Sequence, residues 1–149
     1  MEKFFKYLGI IFLGIILLIG SLFIYSSATA IDREKIFIPF IKQNMSKLTT
    51  WEYTIYKKLM VESKSQTNEQ LKLYLKLFHK LGKYKSMGKP NLLHTNTSYG
   101  QDNGKSEYAG YLVPLVFESG EASVYIVLVY RKEEVKIFKI RFNSDKLIQ

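Results

Sequence analysis

An apolar run close to the N-terminus constrains this chain more than any other feature. Two lysines precede an uncharged, mostly apolar segment from Tyr7 to Tyr25, and small residues follow it up to Ala30. A basic start, an apolar stretch and small residues are the pattern of a segment that directs the rest of a chain across a membrane. The sequence therefore divides into an export segment, residues 1–30, and an exported part, residues 31–149.

The export segment fits either a cleaved signal peptide or an uncleaved signal anchor. Ala28-Thr29-Ala30 supplies the small residues of a cleavage site. The run from Tyr7 to Tyr25, in contrast, approaches the roughly 20 residues that cross a bilayer as a helix, and its terminal tyrosines suit the two interfaces. We favour the anchor; the alternative is a periplasmic or secreted protein released by cleavage after Ala30. The intact mass of the native protein distinguishes the two.

The charges around the apolar run predict how the chain is oriented. Lys3 and Lys6 precede the run, whereas the four charges of residues 32–35 nearly cancel. Basic residues stay on the cytoplasmic side of a membrane. We therefore expect a single-pass membrane protein with a cytoplasmic N-terminus and an extracytoplasmic C-terminal domain.

Composition limits the number of domains in the exported part and the ways in which it can be stabilised. Its length suits one domain, and no Pro/Gly-rich linker divides it. The chain has 10 Phe and 11 Tyr but no cysteine, which excludes a disulfide framework, a thiolate metal site and a cysteine nucleophile. Packing alone must stabilise this domain.

The net charge of +9 narrows the class of partner. A basic protein attracts nucleic acid, an anionic membrane surface or an acidic protein. Export separates this domain from nucleic acid, so we expect none as a partner. The membrane and another envelope protein remain, and the scattered lysines are otherwise expected to form solvated surface.

The spacing of apolar residues predicts three helices in the first half of the exported part. The first contains Pro39, which either kinks it or marks its first turn. The second covers Thr50–Met60 and has Trp51 on its apolar side. The third follows a capping-box pattern of Thr67 and Gln70. Its apolar face comprises Leu71, Tyr74, Leu75, Phe78 and Leu81, and Gly82 ends it.

After Gly82 the period changes to that of strands. A weak strand from Lys83 to Leu93 is interrupted by Pro90, and the polar segment Asn96–Lys105 is expected to be a loop. Three clear strands follow: Glu107–Glu118, Ala122–Arg131 and Val135–Asn143. Ser119-Gly120 predicts a two-residue hairpin turn.

The middle strand, Ala122–Arg131, has two largely apolar faces. One face should pack on the helices, and the other should be covered by a curl of the sheet or by a partner. The sequence therefore predicts an α+β fold, with helices first and an antiparallel meander after them.

Two segments bring the chain close to a known superfamily. The third helix ends Leu77-Phe78-His79-Lys80-Leu81-Gly82, and the last strand carries Val135-Lys136-Ile137 and Ile140-Arg141-Phe142. With three helices before a meander, these segments resemble the NTF2-like (cystatin-like) superfamily, and more narrowly its small bacterial envelope proteins. The resemblance covers roughly residues 32–145. It implies a cone-shaped, curved antiparallel sheet wrapped on the helices, often with a pocket at the open end, and no particular activity.

Catalysis of the isomerase or dehydratase kind needs a histidine or carboxylate held in an apolar pocket. His79 is expected at the surface near the end of the third helix, and His94 on a strand or loop surface. The turn glutamates are expected to be solvated, and we predict no acidic residue inside an apolar strand stretch. We therefore expect no enzyme activity, no catalytic residue, no cofactor and no metal site.

Five tyrosines are the candidate site residues. Tyr99, Tyr108, Tyr111, Tyr125 and Tyr130 place hydroxyls around an apolar sheet. A concave apolar site with a few polar groups is how proteins hold small ligands, but half-buried strand aromatics are also common without one.

Three functional hypotheses follow from these features. The first is a non-catalytic, membrane-tethered interaction or assembly module that binds a partner or a second copy through its sheet face. The second is a domain whose pocket binds a small ligand or lipid. The third is a cleaved, periplasmic or secreted protein that binds a partner.

Overall fold

The computed structural model describes residues 14–19, 21, 32–62, 68–100 and 104–145. It separates the chain into two compact units, residues 1–32 and residues 33–149. In the first unit residues 14–19 and 21 are helical, and the predicted cleavage site lies outside the described residues. Within the described ranges, no helix is long and apolar enough to cross a membrane. Anchoring and cleavage therefore both stay predictions.

The second unit is an α+β domain, as the periodicity predicts. Its helices are α1 (Arg33–Leu48), α2 (Tyr53–Leu59) and α3 (Asn68–Phe78), and a short 3₁₀ helix, His79–Leu81, follows α3. Its strands are β1 (Tyr84–Met87), β2 (Asn91–Gly100), β3 (Gly104–Phe117), β4 (Gly120–Arg131) and β5 (Glu134–Asn143). The five strands pair in antiparallel fashion in one open sheet. Helices come first and the sheet after them.

β1 and β2 together form one broken edge of the sheet. β1 pairs with the last residues of β3, and β2 pairs with its first half. The break falls at Gly88-Lys89-Pro90, where proline has no N–H to donate to a ladder. The Gly88 N–H donates to the Pro114 carbonyl instead, with N···O 2.9 Å. The predicted interruption at Pro90 is confirmed.

The predicted loop Asn96–Lys105 is wrong over most of its length. Asn96–Gly100 belongs to β2, and Gly104 and Lys105 begin β3. Asn96–Gly100 pairs with Gly104–Tyr108 across a hairpin, so backbone hydrogen bonding with a partner strand overrides the local preference of these residues for loops.

Helix α1 supplies one wall of the core. Phe37, Ile41, Met45 and Leu48 are buried at helical spacing. Pro39 lies inside the helix and not in its first turn. The Phe37 ring meets the Tyr111 ring of β3 edge-on, with centroids 6.4 Å apart. The helices therefore cover one face of the sheet, which we call the inner face.

The single tryptophan joins the helices to the ends of two strands. Trp51 stacks on Phe78 and Phe117, with ring centroids 5.2 and 5.8 Å apart, and meets Phe142 edge-on at 4.8 Å. It lies in the turn before α2, with φ 61°, so the prediction of Trp51 on a helix is wrong. The buried Tyr56 hydroxyl donates to the Leu48 carbonyl, O···O 2.7 Å, and pins α2 to the end of α1.

The end of α3 and the turn between β3 and β4 lie close to their predicted positions. Leu75, Phe78 and Leu81 are buried, and Gly82 has φ 73° just after the 3₁₀ turn, which glycine adopts at little cost. The turn between β3 and β4 consists of Glu118-Ser119, one residue earlier than predicted, because Phe117 pairs with Gly120.

Candidate functional site

The structure divides the five candidate tyrosines among three places. Tyr111 pairs with the buried Ile126, and Tyr130 lies two residues after the buried Leu128 on the same strand. Both tyrosines therefore lie on the inner face. Tyr108 and Tyr125 point to the opposite, outer face, and Tyr99 is 76% exposed near the tip of the β2–β3 hairpin. The five hydroxyls therefore do not converge on one site.

The outer face of the sheet carries its own apolar cluster. Tyr108 of β3 and Phe138 of β5 meet edge-on across β4, with ring centroids 5.3 Å apart. Between them, Val127 and Val129 of β4 are only 7% and 4% exposed. A bulge in the β4–β5 pairing occurs at this point, and a bulge redirects the strand's side chains. Side chains of the sheet itself thus shield part of the outer face.

A histidine bridges strands beside this cluster. The His94 ring lies over Gly110, where an added Cβ would collide with His94 Cε1, and its centroid is 6.1 Å from that of Tyr125. His94 and His79 are both exposed, as the sequence predicts. Gly110 is therefore required by the close approach of an aromatic ring and not by a special backbone angle.

Replacing Gly110 with alanine should displace His94. Overpacking of this kind costs about 1–3 kcal/mol of unfolding free energy. In a His94→Ala background the same change should cost less than about 0.5 kcal/mol, because the obstructing ring is absent and alanine suits a strand better than glycine. A urea-denaturation double-mutant cycle of the full chain measures this coupling. Equal costs in both backgrounds would show that the ring does not sit over Gly110.

An outer-face patch remains accessible around the shielded valines. Tyr108 and Tyr125 are half-buried, Leu112 and Val116 are each 37% exposed, and Phe138 is 55% exposed. We call these five residues the outer-face patch. An exposed apolar cluster with a polar border is a common feature of protein interaction sites.

The border of the patch is basic along β5. Lys139 and Arg141 are exposed on the outer face. Lys136 lies farther along the same strand, where its Nζ is 2.9 Å from a Glu134 oxygen and donates to the Lys58 carbonyl at 3.0 Å. Along β2 the border consists of asparagine and serine side chains and of His94. The basic side chains on this face are therefore concentrated along β5, and the exposed Glu121 of β4 lies opposite Val116.

A buried carboxylate lies on the inner face. Glu107 is 3% exposed. Its oxygens lie 2.6 Å from Arg33 Nη2, 2.8 Å from Lys105 Nζ and 2.9 Å from Thr97 Oγ1. Burial raises the pKa of Glu107, but hydrogen bonds from Lys105, Thr97 and Arg33 outweigh it and lower that pKa below its usual range.

Glu107 corrects the expectation that no acidic residue lies inside an apolar strand stretch, because it is buried in β3. The alternation of side chains along the strand indicates this burial, because Glu107 shares its face with Ala109, Tyr111 and Val113. General acid–base catalysis calls for a carboxyl pKa moved toward the working pH, whereas this pKa moves away from it. His94 is on the opposite face, so the two groups do not form a catalytic pair.

A cavity of about 580 Å³ opens between α1 and the break in the edge strand. Its walls are one stripe of α1 and the segment from Met87 to Leu92, and Tyr111 lies at its base. The α1 stripe consists of Glu34, Ile38 and Lys42. The volume is within the usual range for sites that hold small molecules.

The Tyr111 hydroxyl beside this cavity is unusual. Tyr111 is 1% exposed, and its hydroxyl has no hydrogen-bond partner among the described residues. Burial, with a further contribution from the Glu34 charge and an opposing one from Arg33, raises the pKa of Tyr111. The hydroxyl therefore stays protonated and keeps its proton available for donation.

Comparisons of the chain with family models, with curated proteins and with solved structures found no match. Across the described ranges, no group of three or more His, Asp or Glu side chains is arranged to hold a metal ion. The functional interpretation therefore rests on the fold and on two local features. These are the outer-face patch and the cavity lined by Tyr111, which we call the Tyr111 cavity.

Proposed function

We propose that this chain is a non-catalytic, single-pass envelope protein whose extracytoplasmic domain is an interaction module. The outer-face patch is the binding surface, and the observation that carries the proposal is its exposed aromatic and aliphatic centre beside a basic border. Interface cores are rich in aromatic residues, and charged groups lie at their rims. Phe138, which is 55% exposed, is the expected anchor of the interface.

The occupant that fits this surface best is a protein with an apolar patch bordered by carboxylates. Lys139 and Arg141 would face such carboxylates and would guide the encounter electrostatically. A second copy fits less well, because each copy carries a net charge of +9 and like charges oppose association. The partner is therefore proposed to be a different, acidic envelope protein.

Membrane tethering and the NTF2-like fold are parts of the same proposal. The apolar run from Tyr7 to Tyr25 and the preceding lysines support a tether with the domain outside the cytoplasm. Three helices followed by a five-stranded antiparallel sheet support the NTF2-like assignment. Bulges in β1, β2 and β5 pairings support a curved sheet, because each bulge bends its strand.

Photo-crosslinking in native membranes tests the binding surface. We would place p-benzoylphenylalanine at position 138 of the full-length chain, and at Leu73 as a control that is 66% exposed on α3. The expected result is one discrete protein adduct from position 138 and none from position 73. The adduct should fall by about threefold or more in a Lys139→Glu/Arg141→Glu background, because reversed rim charges slow association. A Lys76→Glu/Lys80→Glu background should leave it unchanged.

Three results would overturn this proposal. An adduct of twice the 17.4 kDa chain mass would identify a second copy as the occupant. An adduct of lipid mass would identify a membrane surface. Absence of any adduct, or equal adducts from positions 138 and 73, would show that the patch does not bind a partner.

A further inference from the structure

The Tyr111 cavity lies apart from the outer-face patch and has a polar arrangement of its own. Helix α1 runs beside β3 in the same direction, because Arg33 contacts Glu107 and Phe37 contacts Tyr111. Lys42 therefore lies farther along β3, toward Pro114. The segment that carries Lys89 is fixed at the same level by the Gly88–Pro114 hydrogen bond. Two lysines thus share one end of the cavity.

The opposite end of the cavity has the opposite charge. Glu34 and Lys42 are eight residues apart on one helix, so about 12 Å of helix rise separates them. The apolar part of the lining is formed by Ile38, Met87, Pro90 and Leu92, and Asn91 is a polar neighbour of it. An elongated ligand with a negative group would therefore bind in one direction only, with that group at the lysines.

The unpartnered Tyr111 hydroxyl indicates that the cavity receives a polar atom. Buried polar groups in folded proteins almost always have a hydrogen-bond partner, and leaving one unmet is costly. No described protein group provides that partner. A ligand oxygen that reaches the base of the cavity would provide it.

We propose that the Tyr111 cavity binds a small anionic amphiphile, such as an alkyl phosphate or alkyl carboxylate. Its phosphate or carboxylate accepts a hydrogen bond from the Tyr111 hydroxyl and attracts the long Lys42 and Lys89 side chains, and its alkyl chain contacts Ile38 and Leu92. Such a molecule is either a membrane lipid or a free metabolite, and both have this chemistry. The site is on the inner face, so it is independent of partner binding at the outer-face patch.

Calorimetric titration of the full-length chain in phosphatidylcholine nanodiscs tests this site. Octyl phosphate is the probe, with octanol and octyltrimethylammonium as neutral and cationic counterparts, and empty nanodiscs correct for partitioning. We expect one-to-one binding of octyl phosphate, at least about tenfold weaker binding of octanol, and no binding of the cation. Comparable binding of all three compounds, or no binding of octyl phosphate, would contradict the proposal.

Matched variants separate the roles of the side chains. Tyr111→Phe should weaken octyl phosphate binding by about tenfold while leaving the unfolding midpoint unchanged or raised. Lys42→Gln/Lys89→Gln should weaken it further, and Lys76→Gln/Lys80→Gln should not affect it. A Tyr111→Phe chain that binds normally but unfolds more easily would show that the hydroxyl has a purely structural role and would overturn its assignment to the ligand.

Nanodiscs containing phosphatidylglycerol distinguish the two sources of the ligand. Reduced apparent affinity for octyl phosphate there, together with retention of phosphatidylglycerol on the purified protein, identifies an anionic lipid as occupant. Unchanged affinity identifies a free anionic amphiphile. Both results support the proposed chemistry, and neither depends on the crosslinking result for the outer-face patch.

Discussion

Replacing Trp51 with alanine is expected to lower the unfolding free energy by about 3–5 kcal/mol, the range for removing a large buried aromatic side chain. Trp51 is 5% exposed and touches the rings of Phe78, Phe117 and Phe142. Its loss would remove the ring that packs against α3, β3 and β5 together, and would leave Phe78 against Phe142 as a direct contact between α3 and β5. Domains of this size are stable by only about 5–15 kcal/mol, so much of that margin would disappear.

Two companion variants make the Trp51 prediction specific. Trp51→Gly should be about 1 kcal/mol less destabilising than Trp51→Ala, because φ 61° disfavours any residue with a Cβ. Leu73→Ala, on the exposed face of α3, should change stability by less than about 0.5 kcal/mol. Urea denaturation of the full-length chain in mild detergent, followed by circular dichroism at 222 nm, measures all three. A Trp51→Ala chain as stable as the Leu73→Ala chain would contradict the packing described for the core.

Replacing Glu107 with glutamine is expected to cost about 3 kcal/mol at pH 7, the lower end of values for breaking a buried ion pair. Arg33 and Lys105 would lose their shared carboxylate, but each side chain is 30% exposed and keeps part of its hydration. Thr97 would lose a charged acceptor. The link between α1, β2 and β3 would weaken without a change of side-chain volume.

The cost of Glu107→Gln should depend on pH in a defined direction. The pKa of Glu107 is lower in the folded chain than in the unfolded one, so its stabilisation is complete above the unfolded pKa of about 4.3 and is lost as pH falls through the folded pKa. The stability difference between the parent chain and Glu107→Gln should therefore shrink from pH 7 to pH 3. Glu121→Gln, at an exposed position, serves as control and should show little difference at either pH. A difference independent of pH would mean that Glu107 is not held as a carboxylate.

Local sequence patterns predicted correctly the elements in which the buried residues follow the repeat of a helix or a strand. The apolar face of α3 and its end near Gly82 are confirmed because burial of Leu75, Phe78 and Leu81 agrees with the 3.6-residue repeat. The three long strands are confirmed within a few residues for the same reason. The hairpin arm Asn96–Gly100 was missed, since its pairing depends on a partner strand that local composition does not reveal.

The candidate site was predicted less well than the fold. A list of strand tyrosines contains no information about which face each ring occupies until the register of β2, β3 and β4 is known. Register placed Tyr111 beside a cavity and Tyr108 on the opposite face against Phe138. It also made Glu107, the first residue of a predicted strand, a buried carboxylate.

The sequence by itself determined the α+β class, the order of helices before strands and the basic, cysteine-free character of the chain, because these depend on composition and short-range periodicity. Only the tertiary structure decided where the outer-face patch and the Tyr111 cavity lie. Both are made by residues far apart in the chain, such as Tyr108 with Phe138 and Lys42 with Lys89. Contacts of that range follow from strand register and helix packing, which no local pattern specifies.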